Sequence, residues 1–236
     1  MSYKCIIIIV GFDKNRDGLE ADIKAIKGAF SEHFEVELVS LINEDRPTIA
    51  EKYEEFEKPE WLEKFNEARF VTVFCLCHGT ADGQIKLSSK RDTANCHNGV
   101  LEYDEVKDAK RLLLNPLFKI EQLDMKLKWL VVQACRGNMN DYRPMQRDGE
   151  AGVFPDYNFV SYCTGEGTVS FQVGHGGKAY IQLLCEEIRL NIREKSLCEM
   201  LRSVHAAVER FGETQNSTTF ARPSYIGSVD DYNFFQ

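Results

Sequence analysis

Residues 129–137 read Trp-Leu-Val-Val-Gln-Ala-Cys-Arg-Gly, an apolar run too short for an ordinary helix that stops on a thiol, an arginine and a glycine. Short apolar runs bounded in this way read as strands covered on both faces. A second run, Phe70 to Leu76, ends in the same manner at Cys77-His78-Gly79. Two strands therefore deliver chemically useful groups at their carboxyl ends, where open α/β sheets place their sites.

The rest of the chain supplies the remainder of such a sheet. Cys5 to Val10 is another apolar run, rich in isoleucine, as expected of a parallel strand. Leu19, Ile23, Ile26 and Phe30 then recur at three- and four-residue steps and form one apolar helical stripe. Phe34, Val36 and Leu38 alternate with Glu35 and Glu37, the period of a half-buried strand. Pro47 to Asn66 is acidic and helix-prone but broken at Pro59, which predicts two helical pieces. Lys86 to Asn98 is polar without a period and reads as a surface insertion, and Tyr103 to Leu114 is predicted to be helical.

Asn138 to Gly152 carries Pro144 and Asp148-Gly149 with no apolar period, so it reads as an exposed connection between two half-chains. Phe159 to Tyr162 opens the second half as a strand. A helix presenting Tyr180, Leu183, Leu184 and Ile188 follows. Ser196 with Glu199 three residues on is a capping box, ahead of a stripe of Leu197, Leu201, Val204, Val208 and Phe211. Ser224 to Val229 reads as a last strand. The predicted fold is α/β, with a mostly parallel six-stranded sheet covered by helices on both faces.

Composition narrows the function. The 236 residues form one domain by size, and 43% hydrophobic content is enough for a sizeable core. The formal net charge of -8 comes with no cluster of Lys and Arg, which argues against nucleic acid as a partner. The first residues lack the features of a secretory signal, and no apolar run nears the ~18 residues of a membrane span. No membrane partner is expected. Eight cysteines, mostly inside apolar stretches, fit reduced thiols in the cytoplasm better than a secreted disulfide framework. Asn216-Ser217-Thr218 is a formal glycosylation acceptor that would then stay bare.

The strand ends combine into one chemistry. A thiol with an ordinary pKa near ~8.5 is only slightly ionised at neutral pH, so a nucleophilic cysteine gains from a nearby imidazole. Cys135 and His78 are the two groups, 135 minus 78 or 57 residues apart. Cys5, Cys75, Cys77, Cys163, Cys185 and Cys198 read instead as small buried hydrophobes. Cys75, Cys77, His78, Cys96 and His97 could also suggest zinc, although their spacing fits no common finger.

The pentapeptide Gln133-Ala134-Cys135-Arg136-Gly137, with its upstream histidine, resembles the caspases, and the resemblance runs over nearly the whole chain. It implies a caspase-like domain over 1–236, with a large-subunit-like region at 1–137, a linker at 138–156 and a small-subunit-like region at 157–236. By resemblance Cys135 is the nucleophile, His78 the general acid and base, and the N–H groups of Gly79 and Cys135 the oxyanion donors. Arg16, in Arg-Asp-Gly, and Gln133 match the family's pocket for the aspartate that precedes the cleaved bond. Tyr162-Cys163-Thr164, Ile181-Gln182 and Pro223-Ser224-Tyr225-Ile226 match the small subunit in outline.

One place departs from the pattern. The family carries Ser-Trp-Arg on its substrate-binding loop, whereas this chain has Ser170-Phe171-Gln172. Phe171 can still wall an apolar subsite, but Gln172 cannot make a forked, charged pairing with a carboxylate.

The implied activity is that of a cytoplasmic cysteine endopeptidase of apoptosis-type proteolysis, made as a zymogen, acting on protein or peptide substrates, with its aspartate preference weakened by Gln172. The alternative is an inactive or weakly active homologue that regulates an active caspase by dimerisation. No metal or cofactor is implied. A homodimer, or a heterodimer with another caspase, would form through the last strand, and Asp148 is the most accessible processing site, ahead of Asp141 and Asp156. A start at Met1 shortly before the first strand resembles executioner rather than initiator members.

Overall fold

A computed structural model describes residues 2–13, 16–80, 84–88, 103–106, 108–135, 157–164, 177–214, 223–227 and 232–235. In chain order the first half forms strand β1 (Tyr3–Gly11), helix α1 (Leu19–Ser31), β2 (Phe34–Ile42), α2 (Arg46–Glu55), α3 (Pro59–Glu67) and β3 (Ala68–Leu76). Next come β4 (His78–Gly79), β5 (Ile85–Ser88), β6 (Tyr103–Val106), α4 (Ala109–Leu113) and β7 (Leu127–Gln133). The second half supplies β8 (Asn158–Tyr162), α5 (Ala179–Asn191), α6 (Leu197–Thr214) and β9 (Ser224–Gly227).

Six strands make the main sheet in the order β2-β1-β3-β7-β8-β9. The first five are parallel, and β9 closes the edge antiparallel to β8. The isoleucines of β1 explain its central place, because both faces of that strand are covered. Cys5, Ile7 and Ile9 pack with α1, α5 and α6 residues such as Phe30, Leu184 and Leu201. Ile6, Ile8 and Val10 join Ile49, Trp61 and Leu113 from α2, α3 and α4 on the other side. Fully burying one such side chain stabilises the fold by roughly 1.5–3 kcal/mol.

Local signals set the helix boundaries. Asp45 accepts a hydrogen bond from the Thr48 N–H (2.9 Å) at the start of α2, and proline opens both α2 and α3. The capping box forms as expected before α6: the Ser196 N–H donates to Glu199 Oε2 (2.8 Å), and the Glu199 N–H donates to Ser196 Oγ (3.3 Å).

One expected element is different. Tyr103 to Leu114 is not a single helix, since Tyr103–Val106 pairs antiparallel with Ile85–Ser88 and only Ala109–Leu113 is helical. Pairing with β5, and through it with β4, overrides the weak helical pattern. The start of the supposed insertion, Lys86 to Ser88, is thus strand. Residues 89–98 and the connection 138–152 lie outside the described residues, and so do Val229, Cys96 and His97.

Candidate active site

The position of the site follows from strand register. β3 and β7 are adjacent and parallel, and their last pair is Leu76 opposite Gln133. Two residues further on along each chain come His78 and Cys135. Parallel neighbours lie about 4.8 Å apart, so equal extension past a shared register keeps the two strand ends side by side. His78 then enters the short antiparallel pair with Lys86, and its ring meets Phe12 edge-on at 6.2 Å between centroids.

Gly79 lies hard against the Cys135 backbone. A Cβ on Gly79 would overlap the Cys135 carbonyl oxygen, and it would come within 2.8 Å of that carbonyl carbon and 3.0 Å of the Cys135 nitrogen. Only a residue without a side chain lets these two segments approach so closely.

The residue just before the cysteine is tied to the neighbouring strand. The Ala134 carbonyl accepts from the Thr164 hydroxyl (3.1 Å) and from the Cys163 thiol (3.4 Å), and the Cys163 N–H continues the ladder to the Val132 carbonyl (3.0 Å). Thr164 and Cys163 are buried.

The thiols divide by environment. Among the described cysteines, Cys5, Cys75, Cys77, Cys163, Cys185 and Cys198 are buried and Cys135 is half-buried. Burial pushes the Cys5 and Cys163 thiols up to about 12 and raises Cys185 as well. The hydrogen bond between Cys75 and Cys77, aided by burial, holds Cys75 well above its ordinary value. These two share the face that packs with Val10 and Val73, as their two-residue spacing requires. Among the described residues no group of three His, Cys, Asp or Glu is placed to hold a metal ion.

Arg16 sits beside this site and is not a solvated loop charge. Its side chain is only 2% exposed, and Nη2 donates to Asp22 Oδ2 at 2.8 Å. Nη1 is buried and finds no hydrogen-bond partner among the described residues, and neither does the buried Oε1 of Gln133. Asp22 Oδ1 accepts two further bonds, from the Lys178 N–H (2.9 Å) and from Gln182 Nε2 (3.0 Å). Burial, then the Arg16 charge, lowers the Lys178 ammonium below its ordinary value.

Asp22 did not emerge from the sequence reading, although a signal was present: it lies on the stripe of Leu19 and Ile26, and a carboxylate on a buried face calls for a partner. Ser170, Phe171, Gln172 and Asp148 lie outside the described residues.

Residues 2–225 match the family model described as the caspase domain. No protein of curated function matches. Among solved structures, the crystal structure of caspase-1 from Spodoptera frugiperda is similar with a TM-score of 0.67 at 18% identity, covering 100% of this chain and 90% of that one. That likeness bears on fold alone. Among the described residues no helix is long and apolar enough to cross a membrane. With the family model spanning nearly all of the chain, and the cysteine and histidine emerging level from two neighbouring strands, the chain belongs to the caspase family.

Proposed function

We propose that this chain is a cysteine endopeptidase that cuts protein substrates after aspartate, with an aspartate preference weaker than its family's pattern implies. The observation that carries this reading is the level register of β3 and β7, which brings the Cys77-His78-Gly79 segment beside Cys135. The Cys135 thiolate attacks the scissile carbonyl, and His78 takes the thiol proton and returns it to the leaving amine. Water then hydrolyses the thioester by the reverse transfers. The N–H groups of Gly79 and Cys135 stabilise the oxyanion, for which one donor is worth roughly 10²–10³ in kcat. Each step is internal to the chain and calls on no metal or cofactor.

The aspartate is bound by Arg16, whose buried Nη1 meets no acceptor among the described residues, together with Gln133. A charged donor held away from water attracts a carboxylate strongly. Two chains pair through β9, which is the outer edge of the sheet and leaves Ile226 exposed. Cleavage at Asp148 separates the two regions, the work is done in the cytoplasm, and its setting is apoptosis-type proteolysis.

A second reading is favoured by one feature of the sequence, Gln172 in place of the family's arginine. In it the chain is a weak or inactive homologue that acts by pairing with an active caspase. Purified protein incubated with a peptide library varied at the residue before the cut separates the two. Cleavage with aspartate enriched supports the protease. No cleavage by a protein that lowers or raises a relative's activity on mixing supports the partner.

A further inference from the structure

Arg16 reaches its place through a set of contacts that the protease reading does not by itself require. The turn before α1 and the turn before α5 lie back to back: Gly18 and Gly177 both have positive φ (85° and 103°), and a Cβ on Gly18 would come within 2.6 Å of the Gly177 Cα. A Cβ on Gly177 would in turn overlap Asp22 Oδ1 and come within 2.6 Å of Gln182 Nε2. The Asp22 carboxylate is thus enclosed by backbone on one side and by Arg16 on the other, and is wholly buried.

We infer that Asp22 is a positioning residue for substrate specificity: it holds the Arg16 guanidinium by Nη2 so that Nη1 is presented to the substrate carboxylate, and it locks that pocket to the Gly177-Lys178 turn. The inference rests on the protease reading above and on three hydrogen bonds from two parts of the chain. A free arginine side chain would sample many rotamers, and the entropy lost in ordering it is met here during folding rather than at binding. Lys178 opens α5, so one carboxylate ties the turn that carries Arg16 before α1 to the turn before α5.

Two roles for Asp22 predict opposite signs. A carboxylate that merely lowered the net charge beside Arg16 and Lys178 would weaken anion binding, and Asp22→Asn would then raise selectivity for aspartate. A positioning carboxylate makes the same substitution lower it, because the amide has one acceptor oxygen where Asp22 has two and cannot keep both the Arg16 bond and those from Lys178 and Gln182.

The test uses two tripeptide chloromethyl ketones that differ only in ending with aspartate or asparagine, which label Cys135 without need of turnover. In the wild type the aspartyl reagent is expected to react roughly tenfold faster, the low end of a charged hydrogen bond. In Asp22→Asn the ratio should fall to about one, with iodoacetamide labelling of Cys135 within about twofold of wild type. A ratio that stays or rises in Asp22→Asn overturns the inference alone. A wild type that reacts equally with both ketones, or with neither, overturns the protease reading and the inference with it. Where Asp22→Asn does not fold, Gln182→Ala decides: it removes one of the bonds to Asp22 without unpairing a charge, and a ratio lowered two- to threefold supports the inference while an unchanged ratio refutes it.

Discussion

Gly79→Ala is the sharpest probe of the proposed site, because its consequence can be worked from backbone atoms. The added Cβ would lie 2.8 Å from the Cys135 carbonyl carbon and overlap the oxygen, and the obstacle is main chain rather than a side chain that can swing aside. Carbon atoms pack at about 3.5–4.0 Å, so the ends of β3 and β7 must separate by about 1 Å. A misplacement of that size costs on the order of 10²-fold in rate, or about 2.7 kcal/mol of transition-state stabilisation. Overpacking destabilises the fold by about 1–3 kcal/mol besides. Peptide hydrolysis measured as kcat/KM, with thermal unfolding in parallel, should show activity lost about a hundredfold at a temperature where the variant is still folded. Activity within threefold of wild type would refute the placement of Gly79 against the reacting cysteine.

Limited alkylation followed by mass spectrometry should find Cys135 the most reactive thiol, with Cys5 and Cys163 slow because burial holds them near 12, and His78→Ala should slow Cys135. Equal labelling of Cys135 and Cys163 would count against the dyad. Gln172→Arg should raise kcat/KM on aspartyl peptides by roughly ten- to a hundredfold, the value of a charged hydrogen bond, and no change would mean that residue 172 does not reach the substrate. Burial lowers His205 from 6.5 to about 4, so the unfolded chain binds this proton more readily than the folded one. Stability is therefore full above about pH 6.5 and is lost as pH falls towards 4, by up to about 3 kcal/mol, and denaturant titrations should show His205→Gln losing less stability than wild type over that window.

Much of this protein was legible in its local patterns. The isoleucine run of β1, the stripe of α1, the break at Pro59 and the capping box at Ser196 each report a structural period or a terminal hydrogen bond, and these depend on residues within a few positions of one another. The candidate dyad was legible for a related reason: a thiol and an imidazole each close an apolar run, and a parallel sheet gathers the ends of its strands on one side. Tyr103–Val106 was misread because four residues carry too little periodicity to outweigh the strand they pair with.

Tertiary structure decided what depends on distance across the chain. The Asp22 partners Lys178 and Gln182 lie 156 and 160 residues away, and nothing local in α1 names them. Resemblance pointed to Arg16 as a pocket residue, but its buried ion pair with Asp22 forms only because α1 and α5 pack on the same face of the sheet. The contact of Gly79 with Cys135 likewise follows from a register of β3 on β7 that no single strand specifies. Periodicity tells a segment which of its faces is buried, but the atoms that meet that face are chosen by how the sheet is assembled.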